Sequence, residues 1–240
     1  MRRIGIMGGT FNPIHNGHLA IAEKAREQFT LKKVLFMPSG VPYMKEQREV
    51  LPIQARCEMA ALAIKDMPGF ELSRMETVDA AQGKNTYTCD TLQKLRAKDP
   101  EAAYYFILGA DSLYAMEKWK NPAYIFQNCT ILAAVRRISP MSPQAMRVDT
   151  KTEKYLHALY GRHETDCAAM TGTDSNGLAV QAQYLQEKYH ASVEILEFAG
   201  MDISSTQIRE MARKGESLRG LLPEAVEAYI RQKRLYEKNS

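Results

Sequence analysis

The sequence predicts an α/β fold, a parallel sheet with helices on both faces and a short helical portion at its C-terminal end. Three observations predict it. Short apolar, β-rich runs alternate with helix-patterned segments, the order that builds βαβ units. The runs are apolar nearly throughout, as strands buried on both faces require. The residues that carry chemistry fall just after strands, where ligands of open parallel sheets bind.

In chain order the candidate strands are Ile4–Met7, Val34–Met37, Phe70–Met75, Tyr104–Leu108, Thr130–Val135 and Val193–Leu196. Helical spacing covers His18–Phe29, Pro52–Lys65, Thr91–Lys98, Ser112–Lys118 and Pro122–Gln127, then Lys154–Tyr160 and Leu178–Tyr189. Near the end, Pro223 sits in the first turn of a helix whose apolar face is Val226, Tyr229 and Ile230. The regular alternation lapses over 139–191. Breakers crowd Thr171–Gly177, which is expected to be a mobile exposed loop. This stretch lacks a core of its own, so it reads as a partly mobile elaboration within a single domain spanning 1–240.

Composition sets limits. With 45% hydrophobic and 25% charged residues, the chain is an ordinary globular one. Lys and Arg exceed Asp and Glu by 32 to 28, too few and too dispersed for a nucleic-acid groove. A pocket for small anions suits that balance better. Cys57, Cys89, Cys129 and Cys167 form no CxxC pair, so neither a zinc knuckle nor a disulfide framework is expected. Thiols of this kind suit a reducing compartment, and a cytoplasmic protein is expected. The first apolar run breaks at Gly8-Gly9, and no later one approaches the ~18 residues of a membrane span. No membrane partner is expected, and a homo-oligomer is left open.

The first strand runs into Gly8-Gly9-Thr10-Phe11-Asn12-Pro13-Ile14-His15-Asn16-Gly17-His18. Glycines there let the backbone approach a ligand. Asn16 is the expected N-cap, which puts His18 in a first helical turn, where amides and the dipole attract anions. His15 and His18 could address one phosphate. Three plainer readings stay open: a tight turn at the glycines, histidine metal ligands, or ordinary caps. The metal reading lacks a nearby carboxylate or thiolate. The segment is neither a P-loop nor a GxGxxG fingerprint.

The second constellation is Asp202-Ile203-Ser204-Ser205-Thr206-Gln207-Ile208-Arg209. Ser204 with Gln207 makes a capping box, and Ile203 with Ile208 a hydrophobic staple. A structural helix start explains that much. Extra hydroxyls at Ser205 and Thr206, and Arg209 one turn on, add what a polyphosphate needs.

Together the two segments resemble the HxGH nucleotidyltransferase superfamily, specifically the bacterial nicotinate-mononucleotide adenylyltransferases. Residues 8–18 are similar to that family's GGTFxPxHxGH signature, and residues 203–209 to its ISSTxIR signature. Between them, Val41-Pro42-Tyr43-Met44-Lys45, Arg56 with Met59, and Thr86-Tyr87-Thr88-Cys89-Asp90-Thr91 resemble further family segments. Leu108-Gly109-Ala110-Asp111-Ser112, followed by Trp119, resembles its GxDxxxxxxxW pattern. The likeness covers about 1–137 and 193–236. The family's Arg-Pro-Gly appears here as Arg137-Ile138-Ser139, which leaves the phosphate contact between Arg136 and Arg137.

The resemblance implies a Rossmann-like domain that joins ATP, carrying Mg²⁺, to nicotinate mononucleotide, giving nicotinate adenine dinucleotide and pyrophosphate. It implies His15, His18 and Arg209 as catalytic. Gly8, Gly9, Thr10, Phe11, Gly109, Asp111, Ile203, Ser204, Ser205 and Thr206 fall on the ATP side. Asn12, Lys45, Thr88, Trp119 and Arg137 fall on the acceptor side, with Trp119 stacking on the pyridine ring. No resident metal site is expected. The rivals are another HxGH transferase, using nicotinamide mononucleotide or phosphopantetheine, and a non-catalytic nucleotide-binding regulator.

Overall fold

The computed structural model describes residues 1–40, 50–81, 85–137, 175–199 and 203–237. Within them the chain runs β1 (Arg2–Gly9), α1 (Asn16–Gln28), β2 (Lys33–Pro38), α2 (Ile53–Ile64), β3 (Phe70–Leu72) and α3 (Met75–Ala81). It continues through α4 (Thr88–Lys98), β4 (Ala102–Gly109), α5 (Ala110–Ala115), a 3₁₀ turn at Met116–Lys118, α6 (Pro122–Asn128) and β5 (Thr130–Arg137). The last described elements are α7 (Ser175–Tyr189), β6 (Ser192–Ala199), α8 (Ser205–Arg213) and α9 (Glu224–Gln232).

The strands form one sheet in the order β3-β2-β1-β4-β5-β6, every described pairing parallel. The order reverses between β1 and β4. That pair creates the crevice in which open α/β sheets hold ligands. Met7 lies opposite Ile107, so Gly8, Gly9 and Gly109 all emerge at the carboxyl edge of these two neighbours.

Two apolar layers bury the sheet. On one side Met7, Leu19, Phe36, Met59, Ile208 and Val226 share a core, which brings α1, α2, α8 and α9 together. On the other, Ile6, Leu92, Phe106, Leu113, Ile125 and Leu185 pack with α4 to α7. Continuous apolar strands are therefore explained: each face has its own helical layer.

Several boundaries depart from expectation. β3 ends at Leu72, because its ladder with β2 stops at Phe36↔Leu72. Met75, expected in that strand, instead opens α3, an element the sequence pattern does not reveal. α4 begins at Thr88, capped by Tyr87, three residues before the expected start. The helix expected over Ser112–Lys118 starts at Ala110, directly from the strand, and tightens to 3₁₀ at Met116.

α7 begins at Ser175, so Ser175-Asn176-Gly177 is helical and not part of a loop. Ser and Asn disfavour helix interiors but favour helix starts, so their presence here marks a beginning and not a break. The remainder of the expected loop, 171–174, and the expected helix Lys154–Tyr160 lie outside the described residues.

Candidate active site

Past Gly9 the chain turns sharply, and Phe11 takes a left-handed backbone (φ 48°) while buried to 2% exposure. A Cβ on Gly9 would stand 3.0 Å from the Phe11 ring. Gly9 thus makes room for Phe11 to fold back over the strand, where its ring meets His18 edge-on at 5.1 Å. The glycine there serves a side chain of this chain as well as any ligand.

His15, not Asn16, caps α1. The backbone N–H of His15 donates to His18 Nδ1 at 3.2 Å, while the His18 N–H donates back to the His15 carbonyl at 2.9 Å. The two rings stack with centroids 3.7 Å apart. An acceptor at Nδ1 places the proton of the neutral His18 ring on Nε2. His15 is buried at 3%, whereas His18 is partly exposed. Asn16 instead ties the helix start to a distant turn. Its side-chain amide donates to the Gly220 carbonyl at 2.9 Å and its N–H to that of Leu221 at 3.0 Å.

The second constellation meets this loop across nearly the whole chain. Ser204 Oγ accepts from the Gln207 N–H at 3.1 Å, so the expected cap is present. Ser205 Oγ donates to the Pro13 carbonyl at 2.9 Å, across 192 positions. Arg209 donates from Nη1 to the Asn12 carbonyl at 3.1 Å and from Nη2 to Thr206 Oγ1 at 3.3 Å. Ile203 and Ile208 are buried in the core beneath. His15, His18, Asn12, Ser205 and Arg209 therefore share one corner, at the carboxyl end of β1.

Arg56 explains how that corner is held. It is 2% exposed and donates to the carbonyls of Thr10 at 2.7 Å, Gly40 at 2.9 Å and Leu51 at 3.0 Å. Burial pushes its pKa below the usual arginine value, with Cys57, Tyr236 and Glu76 pulling it back. The guanidinium ties the three carbonyls from three separate nitrogens held in one plane, a spread that an ammonium's three donors on a single nitrogen do not match.

On the other side of the crevice, Gly109 caps α5 and the exposed Asp111 stands in its first turn. A Cβ on Gly109 would lie 2.7 Å from Asp111 Oδ1, so glycine is what allows that carboxylate its position. Trp119 follows the 3₁₀ turn, half-buried, its ring edge-on to Phe106 at 6.0 Å.

Glu76, unmarked in the sequence, organises the 86–91 turn. Its Oε1 accepts from Thr91 Oγ1 at 2.9 Å and its Oε2 from the Gly40 N–H at 3.3 Å. Burial raises its pKa, while hydrogen bonds from Thr91, Thr86 and Gly40 work against the rise. The Thr86 and Thr91 hydroxyls are thus engaged by a carboxylate of the chain. Thr88, in the first turn of α4, is half-buried.

Lys45 lies outside the described residues. Arg136 and Arg137 end β5, and their side chains are likewise outside them. Among the described residues no group of three or more His, Cys, Asp or Glu could hold a metal ion. None of their helices is long and apolar enough to cross a membrane. Cys57, Cys89 and Cys129 are buried and unbridged.

A parallel sheet whose order reverses at β1 and β4, with histidines and an arginine from both ends of the chain at that reversal, defines a nucleotidyltransferase-type α/β protein. Residues 6–211 match the cytidylyltransferase-like family. A probable nicotinate-nucleotide adenylyltransferase of Lachnoclostridium phytofermentans is 38% identical over 230 residues, 96% of each chain. One from Citrifermentans bemidjiense is 39% identical over 234 residues, 98% of each chain. Among solved structures, the Plasmodium falciparum nicotinic acid mononucleotide adenylyltransferase complexed with NaAD superposes with a TM-score of 0.67. It covers 100% of this chain and 99% of its own at 16% identity, a likeness of fold. The chain belongs to the cytidylyltransferase-like family and, within it, to the nicotinate-nucleotide adenylyltransferases.

Proposed function

We propose that the protein transfers the AMP group of ATP onto the phosphate of nicotinate mononucleotide, forming nicotinate adenine dinucleotide and releasing pyrophosphate, a step in making NAD. One observation carries this reading: Arg209 and Ser205 bond to the Asn12-Pro13 backbone beside the locked pair His15 and His18. Such an arrangement can gather cationic and donor groups around a phosphate, with Ser205 Oγ and His18 Nδ1 each already engaged in a hydrogen bond.

The acceptor's own phosphate oxygen attacks the α-phosphorus of ATP, and the bond to the bridging oxygen of pyrophosphate breaks. The protein must align the two and neutralise charge on the leaving group. His18 contributes its Nε2 donor, Arg209 its guanidinium, and α1 and α8 the positive ends of their dipoles. ATP arrives as its Mg²⁺ complex, the ion belonging to the substrate.

Gly8, Gly9, Thr10 and Phe11 line the space between the nucleotides. Gly109 and Asp111 receive the ribose hydroxyls, and residues 203–206 the ATP phosphates, Ser205 chiefly by holding Pro13. Asn12, Lys45, Thr88, Trp119 and Arg137 form the acceptor side. Residues 1–240 act as one catalytic unit, a reading supported by one sheet that takes its strands from Arg2 to Ala199, and act in the cytoplasm, a reading supported by buried, unbridged thiols. The test is pyrophosphate release from ATP with a panel of acceptors: nicotinate mononucleotide, nicotinamide mononucleotide and phosphopantetheine. Release with the first, well above the others, is expected. Release only with phosphopantetheine, or none at all, would refute the proposal.

A further inference from the structure

After α9 the chain reverses, and Arg234 and Tyr236 both take left-handed backbone angles, φ 52° and 69°. Side chains with a Cβ disfavour this region and persist there only where surrounding contacts over-determine them. The contacts are on hand. The Leu235 N–H donates to the Ile230 carbonyl at 2.9 Å, and Leu235 and Tyr236 rest against the core that includes Phe11 and Ile208. The strained turn delivers a single polar group inward: Tyr236 OH reaches Asn12 Oδ1 at 3.0 Å, across 224 positions.

That bond has a definite sense. Burial pushes the Tyr236 pKa up, against the opposing pull of Arg209 and Arg56, so at neutral pH the phenol keeps its proton. Asn12 Oδ1 also accepts from the Leu51 N–H at 3.3 Å. Two donors on one oxygen fix which way the amide is turned, with its NH₂ facing away from both. Asn12 is 4% exposed, and its backbone carbonyl takes Arg209.

We infer that Tyr236 is a positioning residue for the acceptor half of the reaction, its hydroxyl holding the Asn12 carboxamide in one orientation. The C-terminal turn is then part of the site, although it lies far from both signature segments in sequence. This assignment rests on the adenylyl-transfer function proposed for the chain and on the acceptor-side role of Asn12.

The test is Tyr236→Phe in the full chain, which keeps the ring and its packing but removes the hydroxyl. Its kcat/KM for nicotinate mononucleotide should fall about 3- to 10-fold, the worth of one lost neutral hydrogen bond. The KM for ATP should stay within about twofold of the wild type, a split that loss of packing alone would not produce. A chain ended after Leu235 should show at least the same acceptor-side loss, and Tyr236→Phe decides the matter if that shorter chain fails to fold. An unchanged acceptor kcat/KM in Tyr236→Phe, or a KM for ATP raised as much as that for nicotinate mononucleotide, would overturn the inference. Inactivity of the wild type with nicotinate mononucleotide would overturn the proposed function and the inference together. Full wild-type activity beside an unaffected Tyr236→Phe would overturn the inference alone.

Discussion

The backbone N–H of His15 holds His18 by its Nδ1, at 3.2 Å, and so turns the His18 Nε2 into a donor of fixed direction. A preorganised donor of that kind costs no reorganisation when charge develops on a phosphate. His18→Ala should lower the maximal rate by ~10²–10³, the usual loss for one such donor. His15→Ala keeps the backbone N–H that orients His18, so its loss should be smaller. Initial rates at saturating substrate check the ranking. A His15 variant worse than the His18 variant would show that the lock matters less than the His15 ring.

Arg209 uses one arm on the Asn12 carbonyl and another on Thr206. A lysine keeps the charge but cannot serve both and a phosphate. Arg209→Lys should raise the KM for ATP and lower kcat/KM by about tenfold or more. Wild-type kinetics in that variant would reduce Arg209 to a surface charge.

Arg56 is a matter of stability. Its truncation strips three carbonyls, that of Gly40 buried and those of Thr10 and Leu51 partly so, of a charged donor, each such bond contributing about 1.5–3 kcal/mol. Arg56→Ala should lower the unfolding free energy by about 3–5 kcal/mol, comparable to breaking a buried charge interaction. Urea unfolding followed by circular dichroism measures this. A loss under about 1 kcal/mol, the range of a surface substitution, would mean those contacts are incidental.

Glu76 predicts a pH effect. Its folded pKa is raised above the ordinary 4.5, mainly by burial. Between 4.5 and that higher value the folded state binds more protons than the unfolded one, so stability falls as pH rises through the window. Glu76→Gln removes this titration. The stability of wild type relative to Glu76→Gln should therefore grow as pH is lowered from neutrality towards 4.5. A flat difference, measured by denaturant midpoint across that range, would contradict the assignment. At neutral pH the same variant sets its amide NH₂ against one of the two donors, the Thr91 hydroxyl or the Gly40 N–H, and should raise the KM for the acceptor more than that for ATP.

Much of this is legible in sequence, for physical reasons. The strands of the sheet are visible because strands buried on both faces must be apolar throughout, a pattern that is read locally. The helix start at Ser204 is visible because caps are short-range chemistry, while the first helix is capped by His15 and not by the expected Asn16. What stays hidden is long-range. Glu76, an acid in a polar stretch, looks like any solvated residue until Thr91 and the Gly40 N–H close on it. Tyr236 belongs to the site only through a chain reversal, and Arg56 only through three carbonyls spread from Thr10 to Leu51. Helix α3 is concealed because Met75 reads as strand, while the ladder that could extend β3 ends at Phe36.

Selection of the acid over the amide form of the acceptor is expected to fall to the 86–91 turn. With the Thr86 and Thr91 hydroxyls engaged by Glu76, the proposed acceptor side would meet the carboxylate of nicotinate with Thr88 and the start of α4. A donor facing the amide's NH₂ costs about 1–3 kcal/mol, roughly tenfold to a hundredfold in discrimination. Thr88→Ala should narrow the ratio of kcat/KM for the two acceptors, while Trp119→Ala should weaken both alike. A Trp119 variant that loses the preference and keeps its affinity would reverse these roles.

The proposed function requires AMP to pass directly to the acceptor's phosphate, with no bond to the protein along the way. Isotope tracing together with the mass of the intact protein decides it: nicotinate mononucleotide whose phosphate oxygens carry a heavy isotope, unlabelled ATP, and mass analysis of both products and of the protein after incubation with ATP alone, whose mass direct transfer leaves unchanged. Direct transfer predicts dinucleotide retaining every labelled oxygen, and unlabelled pyrophosphate in equal amount. Label in the pyrophosphate, loss of label from the dinucleotide, or AMP found attached to the protein would contradict it.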